Sequence, residues 1–133
     1  FEGTVMAGTP SIRLAMEALA GCTIREARGI LNGTTNYILT QMEGGMTYAD
    51  ALGQAQQLGY AEADPTYDVE GIDTAHKLAI LINLAFGTYI GLKDIYTEGI
   101  SRINQLDIKF AKEFGYRIKL LAITKCRMPA FGQ

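Results

Sequence analysis

Glu70-Gly71-Ile72-Asp73-Thr74-Ala75-His76-Lys77-Leu78-Ala79-Ile80-Leu81-Ile82-Asn83-Leu84-Ala85-Phe86 is the stretch on which the reading of the fold turns. Lys77 is its last charge, and after it only Asn83 is polar, so a helix here is apolar almost all round and is expected to be the central buried helix. Upstream, Thr47 caps a helix whose apolar face is Tyr48, Ala51, Leu52 and Ala55, with Asp50 at its third position and Gly59 as its stop. Thr34 and Thr35 can cap another that runs through Met42 to Gly44-Gly45. Thr9 is expected to cap a further helix over residues 10–20, with Pro10 at its first position and Ile12, Ala15, Met16 and Leu19 recurring at helical spacing. Residues 23–31 alternate in part and predict a strand ending at the Asn32-Gly33 turn. Downstream, residues 94–100 are expected to form a strand. Ile103, Asp107, Phe110, Ala111 and Phe114 mark a helix ending at Gly115, and residues 116–124 predict a last strand. Helices and strands in this order predict an α/β or α+β sheet covered by helices.

The 133 residues, 48% hydrophobic and 20% charged, make one domain-sized core and leave no room for a nucleotide-binding domain beside a substrate domain. A net charge of -2 lacks the clustered Lys and Arg of a nucleic-acid footprint, so no nucleic-acid partner is expected. Cys22 and Cys126 stand apart with no CxxC or Cys/His spacing, which predicts a reducing compartment and no zinc site. The longest apolar run, Leu78 to Ile82, is far short of the roughly 18 residues that span a bilayer, so no membrane partner is expected either. Pro10, Arg13 and Glu17 interrupt residues 1–20 where a signal peptide would be continuously apolar. The opening Phe-Glu-Gly-Thr, without an initiating Met, reads as a piece of something longer.

Between the third and fourth expected helices, residues 59–77 crowd five of the chain's 14 acidic residues against the start of an apolar helix. Such crowding is costly unless backbone amides, a cation or a ligand answer the charges. Asp68 or Glu70 could simply cap the helix. Asp73 and Lys77 are four apart and share a helix face: either a surface ion pair worth about a few tenths of a kcal/mol, or a proton-handling Lys held by Asp73. A calcium loop starting at Asp64 fails because Val69 stands where Gly is needed, and the lone His76 gives no zinc spacing. A cation-dependent hydrolase is disfavoured for the same reasons. Gly33-Thr34-Thr35 offers helix-start amides to an anion or is a plain turn and cap, and Tyr60 either packs or lines a pocket. No GxGxxG or GxxxxGK[ST] occurs.

Gly29-Ile30-Leu31-Asn32-Gly33-Thr34-Thr35-Asn36-Tyr37-Ile38-Leu39-Thr40, followed by Gly59-Tyr60-Ala61-Glu62-Ala63-Asp64-Pro65 and Asp68 to Leu78, resembles homoserine dehydrogenase. Glu98-Gly99-Ile100, Asp107, Ala111, Gly115-Tyr116 and Ile118 to Leu121 fit the same family, so the resemblance covers Glu2 to Thr124. It implies an α+β fold, a mixed β-sheet covered by helices, in a substrate-binding, catalytic domain fragment, incomplete at both ends, with residues 1–9 as a hinge and residues 125–133 outside the match. The implied activity is reduction of L-aspartate 4-semialdehyde to L-homoserine with NADP or NAD as cofactor, in threonine, methionine and isoleucine biosynthesis. By the resemblance Glu62 binds the substrate amino group, Tyr60, Gly33 and Thr34 line the substrate and nicotinamide pocket, Asp68 and Asp73 hold the substrate side and the lysine, and Lys77 contacts the reacting oxygen. Glu2, Val5, Ala7 and Thr9 match a monovalent-cation site, for an ion such as sodium. The family's nucleotide-binding domain and second catalytic lysine are not in this chain, so the fragment alone is expected to be inactive. A cytoplasmic homodimer built through the sheet domain is implied. The alternative is a non-catalytic dimerisation or interaction module of the same enzyme.

Overall fold

Helix caps and glycine stops set most of the element boundaries in the computed structural model of the chain, which describes residues 2–126. A 3-10 turn at Glu2–Thr4 leads to α1 (Ser11–Arg13), which widens into a π-helical turn over Leu14–Ala18, where the Leu19 N–H donates to Leu14 O at 3.0 Å. The expected Thr9 cap is not formed: Pro10 is the N-cap and supplies no side-chain acceptor, while Thr9 N–H closes a turn on Met6 O. Strand β1 (Glu26–Gly29) follows, then α2 (Gly33–Glu43), α3 (Tyr48–Gln57), the single turn α4 (Thr66–Val69), α5 (Ile72–Phe86), a 3-10 turn at Leu92–Asp94, α6 (Gln105–Glu113) and β2 (Ala122–Lys125). Gly45, Gly59 and Gly115 end their helices with positive φ of 104°, 75° and 77°, the left-handed closure that glycine accepts without strain.

The α+β class stands, and among the described residues its sheet is one antiparallel ladder, with Glu26 opposite Lys125 and Gly29 opposite Ala122. Both strands are shorter than the sequence predicts. The strand expected over residues 94–100 is absent: its first residue closes the 3-10 turn, and Ile100 N–H bonds to Val69 O at 2.7 Å, the carbonyl of a helical turn. Residues 127–133 lie outside the described residues, and with them most of the 125–133 segment.

The chain divides into two compact units. One holds the residues up to Leu31, Ala75–Ile95 and the residues from Leu121 on; its core is Val5, Ile12, Leu31, Leu78, Ile82 and Ala122. The expectation of a centrally buried α5 is corrected here. Leu78 and Ile82 are buried along one stripe, while Ile80, Leu81, Leu84 and Phe86 are half-buried against the same core, so the helix is most deeply buried along one stripe and exposed nowhere along its length. The other unit, Asn32–Thr74 with Tyr96–Leu120, packs Ile38, Leu39 and Met42 of α2 against Ala51 and Ala55 of α3, with Val69, Ile100 and Ile108 closing the core. Here the small faces of Ala51 and Ala55 let the two helices approach, as the spacing predicts. Gln105 Nε2 ties α6 to the end of α2 by donating to the carbonyls of Met42, at 3.1 Å, and Met46. No helix among the described residues is long and apolar enough to cross a membrane.

Candidate functional site

Helix α2 starts with N–H groups that have no acceptor within the helix, and the side chain that caps it, on Thr35 N–H, is that of Asn32, not Thr34 or Thr35. Its Oδ1 accepts from Thr35 N–H at 2.8 Å and from Thr35 Oγ1 at 2.9 Å. Those two donors fix which end of the amide is oxygen, so the NH2 faces the other way. There it donates to Asp68 Oδ1 at 2.6 Å and to Asp73 Oδ2 at 3.0 Å. Asn32 is 4% exposed, and both carboxylates are half-buried. Asp68 is carried by α4 and Asp73 by the first turn of α5. Gly71, with φ of 78°, makes the bend between these helices. The backbone at Gly99 is laid against that bend so closely that a Cβ there would meet Val69 O at 2.5 Å.

The second group of expected site residues converges on the same unit. Thr34 Oγ1 donates to Tyr60 O at 2.7 Å, which joins the start of α2 to the loop after α3. Gln56 Nε2 holds that loop further along, donating to Glu62 O at 3.0 Å and Ala63 O at 3.3 Å, and the Glu62 side chain is exposed. The Tyr60 ring is tilted 60° against Tyr37 at 5.0 Å between centroids and is still 56% exposed, so it both packs and presents a face to solvent. Tyr37 is itself fixed by its hydroxyl donating to Gln54 Oε1 at 2.7 Å. Asp64 accepts from Thr66 Oγ1 and N–H at 2.6 and 3.1 Å, and these bonds hold its carboxyl below the usual carboxylate range. Burial, followed by the Glu70 carboxylate, pushes the Tyr48 phenol up. Gly33, Thr34, Tyr60, Glu62, Asp68 and Asp73 therefore belong to one unit, bound into it by Asn32 and Gln56, neither of which the sequence reading assigned to the site. The signal for Asn32 was present: Asn leads the N-cap preference, but Asn-Gly-Thr-Thr also reads as a turn followed by a Thr cap.

Lys77 and the expected cation ligands belong to the other unit. Lys77 is half-buried, and its Nζ donates to Leu31 O at 3.1 Å. Val5 is fully buried, with its carbonyl accepting from Ser11 Oγ at 3.2 Å, while Ala7 and Thr9 are exposed. Between them Met6 and Ala7 have φ of 61° and 48°, a left-handed pair without glycine. Among the described residues no group of three or more His, Cys, Asp or Glu side chains is set to hold a metal ion.

The profile of the family described as homoserine dehydrogenase matches residues 10–130. A homoserine dehydrogenase of Neisseria gonorrhoeae is 52% identical over 126 residues, covering 94% of this chain and 29% of the relative. A crystal structure of a homoserine dehydrogenase from Thiobacillus denitrificans superposes with a TM-score of 0.91 at 50% identity, again over 94% of this chain and 29% of that one. A hyperthermophilic archaeal homoserine dehydrogenase in complex with NADPH gives 0.78 at 34% identity, over 94% of this chain and 36% of its own. The chain thus spans between 29% and 36% of the length of these three proteins.

Proposed function

The chain belongs to the homoserine dehydrogenase family, and from that premise we propose that it is the substrate-binding part of an NAD(P)H-dependent oxidoreductase that reduces L-aspartate 4-semialdehyde to L-homoserine, on the route to threonine, methionine and isoleucine. The observation that carries this reading is the pair of carboxylates, Asp68 and Asp73, held on the buried Asn32 amide beside the start of α2. In this reading Glu62 receives the substrate ammonium, because an exposed carboxylate at a braced loop is the natural partner for an amino group. Asp68 takes the substrate side, Asp73 holds the lysine, and Gly33, Thr34 and Tyr60 line the substrate and nicotinamide pocket. Lys77 stands beside the aldehyde oxygen: as that oxygen gains negative charge, an ammonium stabilises it and supplies the proton that completes the alcohol.

The nicotinamide cofactor, NADPH or NADH, supplies the hydride when bound. Gly33 and Thr34 would face its nicotinamide end through the open amides of α2, and the rest of the dinucleotide would be held outside this chain, which has no Gly-rich phosphate loop. Residues 1–9 act as a hinge in this reading. Glu2, Val5, Ala7 and Thr9 would hold a monovalent cation such as sodium. Carbonyl oxygens suit a hard ion, and the Val5 carbonyl keeps a second lone pair beside the one Ser11 uses. The enzyme would work as a cytoplasmic homodimer joined through the sheet-bearing part. The interaction-module reading draws on the exposed apolar side chains of α6 and its end, Leu106, Phe110 and Phe114.

Substituting Lys77→Ala and Glu62→Ala in the intact enzyme separates the two. For an active-site role, Lys77→Ala should lower the rate of semialdehyde-dependent NADPH oxidation by orders of magnitude while circular dichroism shows a folded protein, and Glu62→Ala should raise the KM for the amino aldehyde. Full turnover in both variants would leave only the interaction module.

A further inference from the structure

We propose that Asn32 is a positioning residue of this site, one whose amide holds Asp68 and Asp73 in register with each other. The inference rests on the reading of those two acids given above and adds a residue to it. Three observations lead to it. The amide is buried, so each of its polar atoms must find a partner inside the protein. Both Oδ1 acceptor positions are taken by Thr35, which leaves the NH2 a single orientation. Each of its two N–H bonds then goes to a different carboxylate, one from α4 and one from α5, at 2.6 and 3.0 Å. Two like charges gathered on one nitrogen repel each other unless something donates to both, and in this structure Asn32 does so. Helix capping alone would need only the oxygen of the side chain. The nitrogen end is what links α2 to both acids.

This division of labour makes the role testable in the intact enzyme by comparing substitutions that keep the cap. Asn32→Ser retains a cap oxygen but is too short to reach either acid, and Asn32→Asp retains the shape and the cap but replaces the donor with a third carboxylate. For a positioning role, kcat for semialdehyde reduction should fall about tenfold to a hundredfold in Asn32→Ser, with the KM for the nicotinamide cofactor unchanged. Asn32→Asp should fall further. A purely capping residue leaves both variants close to the parent, with Asn32→Asp the milder, since Ser, Asp and Asn cap about equally and Asp also suits the helix dipole. The proposal is overturned if both variants keep kcat within twofold of the parent while Asp68→Asn or Asp73→Asn lowers it, or if Asn32→Asp is the milder of the two. If Asp68→Asn and Asp73→Asn both keep full turnover, the reading of the acids falls first and the role of Asn32 with it.

Discussion

At Gly99 the chain tolerates no side chain, because an added Cβ would lie 2.5 Å from Val69 O and 2.6 Å from Glu70 Cα. Both neighbours are backbone and cannot swing aside, so Gly99→Ala must move the turn that carries Asp68 and leads to Asp73. We expect it to cost about 1–3 kcal/mol, read as a lowered denaturant midpoint, since inserted volume in a packed region costs that much. A midpoint equal to the parent's would show that the turn yields freely. Tyr48 gives a prediction in pH. Its phenol is raised above the ordinary value of 10.0 by burial and by Glu70, so its protonated form favours the folded state. That contribution is complete below about pH 10, the unfolded value, and is lost as pH rises through the higher folded value. In a tyrosinate absorbance titration, Tyr48→Phe should remove a late-titrating component. If the component lost titrates at about pH 10 like a free tyrosine, the environment assigned to Tyr48 is wrong. At this scale the acids were legible because five carboxylates in one short connection demand partners, whereas the partner itself was not. An asparagine announces a cap, and nothing in its spacing says what its other nitrogen-bearing half will touch.

Helices were the more legible elements, and α6 shows why. Asn104 accepts from Leu106 N–H at 2.8 Å and Asp107 N–H at 3.2 Å, while Asp107 Oδ2 receives the Asn104 N–H at 2.9 Å, a reciprocal cap whose residue types are visible in the chain. Asn104→Ala should lower stability by about 0.5–2 kcal/mol, seen as a drop in melting temperature, with the effect confined to α6 in amide exchange. An unchanged melt would mean that packing of Ile108 holds the helix without its cap. Strands were less legible because their partners are distant in sequence. Residues 94–100 have strand-like composition, yet Asp94 and Ile95 close a 3-10 turn and Ile100 N–H bonds to Val69 O beside the α4–α5 bend, where Gly99 and Gly71 allow the close approach. Helix α5 shows the same limit from the other side. Hydropathy says that all its faces are apolar, but burial is a property of what packs on it, and in this chain one stripe is buried.

For the whole molecule, motif order carried more than composition could. Length and charge admitted any small domain, and the succession of motifs from Gly29 to Leu121 pointed to a family, which the profile match over residues 10–130 bears out. The residues proposed for the site divide between the two units: one holds Gly33 through Asp73, and the other begins its share of α5 at Ala75 and so holds Lys77. Hydride transfer needs the donor and acceptor carbons held about 3–3.5 Å apart, which requires both reactants to be fixed at once. On the proposed reading the 133-residue chain supplies groups for the acceptor, and its sequence has no Gly-rich phosphate loop for the donor. The purified chain should therefore show no semialdehyde-dependent loss of NADPH absorbance at concentrations where the intact enzyme is saturated. Turnover by the chain alone would mean that it fixes the dinucleotide by itself, with Gly33 and Thr34 at the open end of α2 doing far more than lining the nicotinamide side.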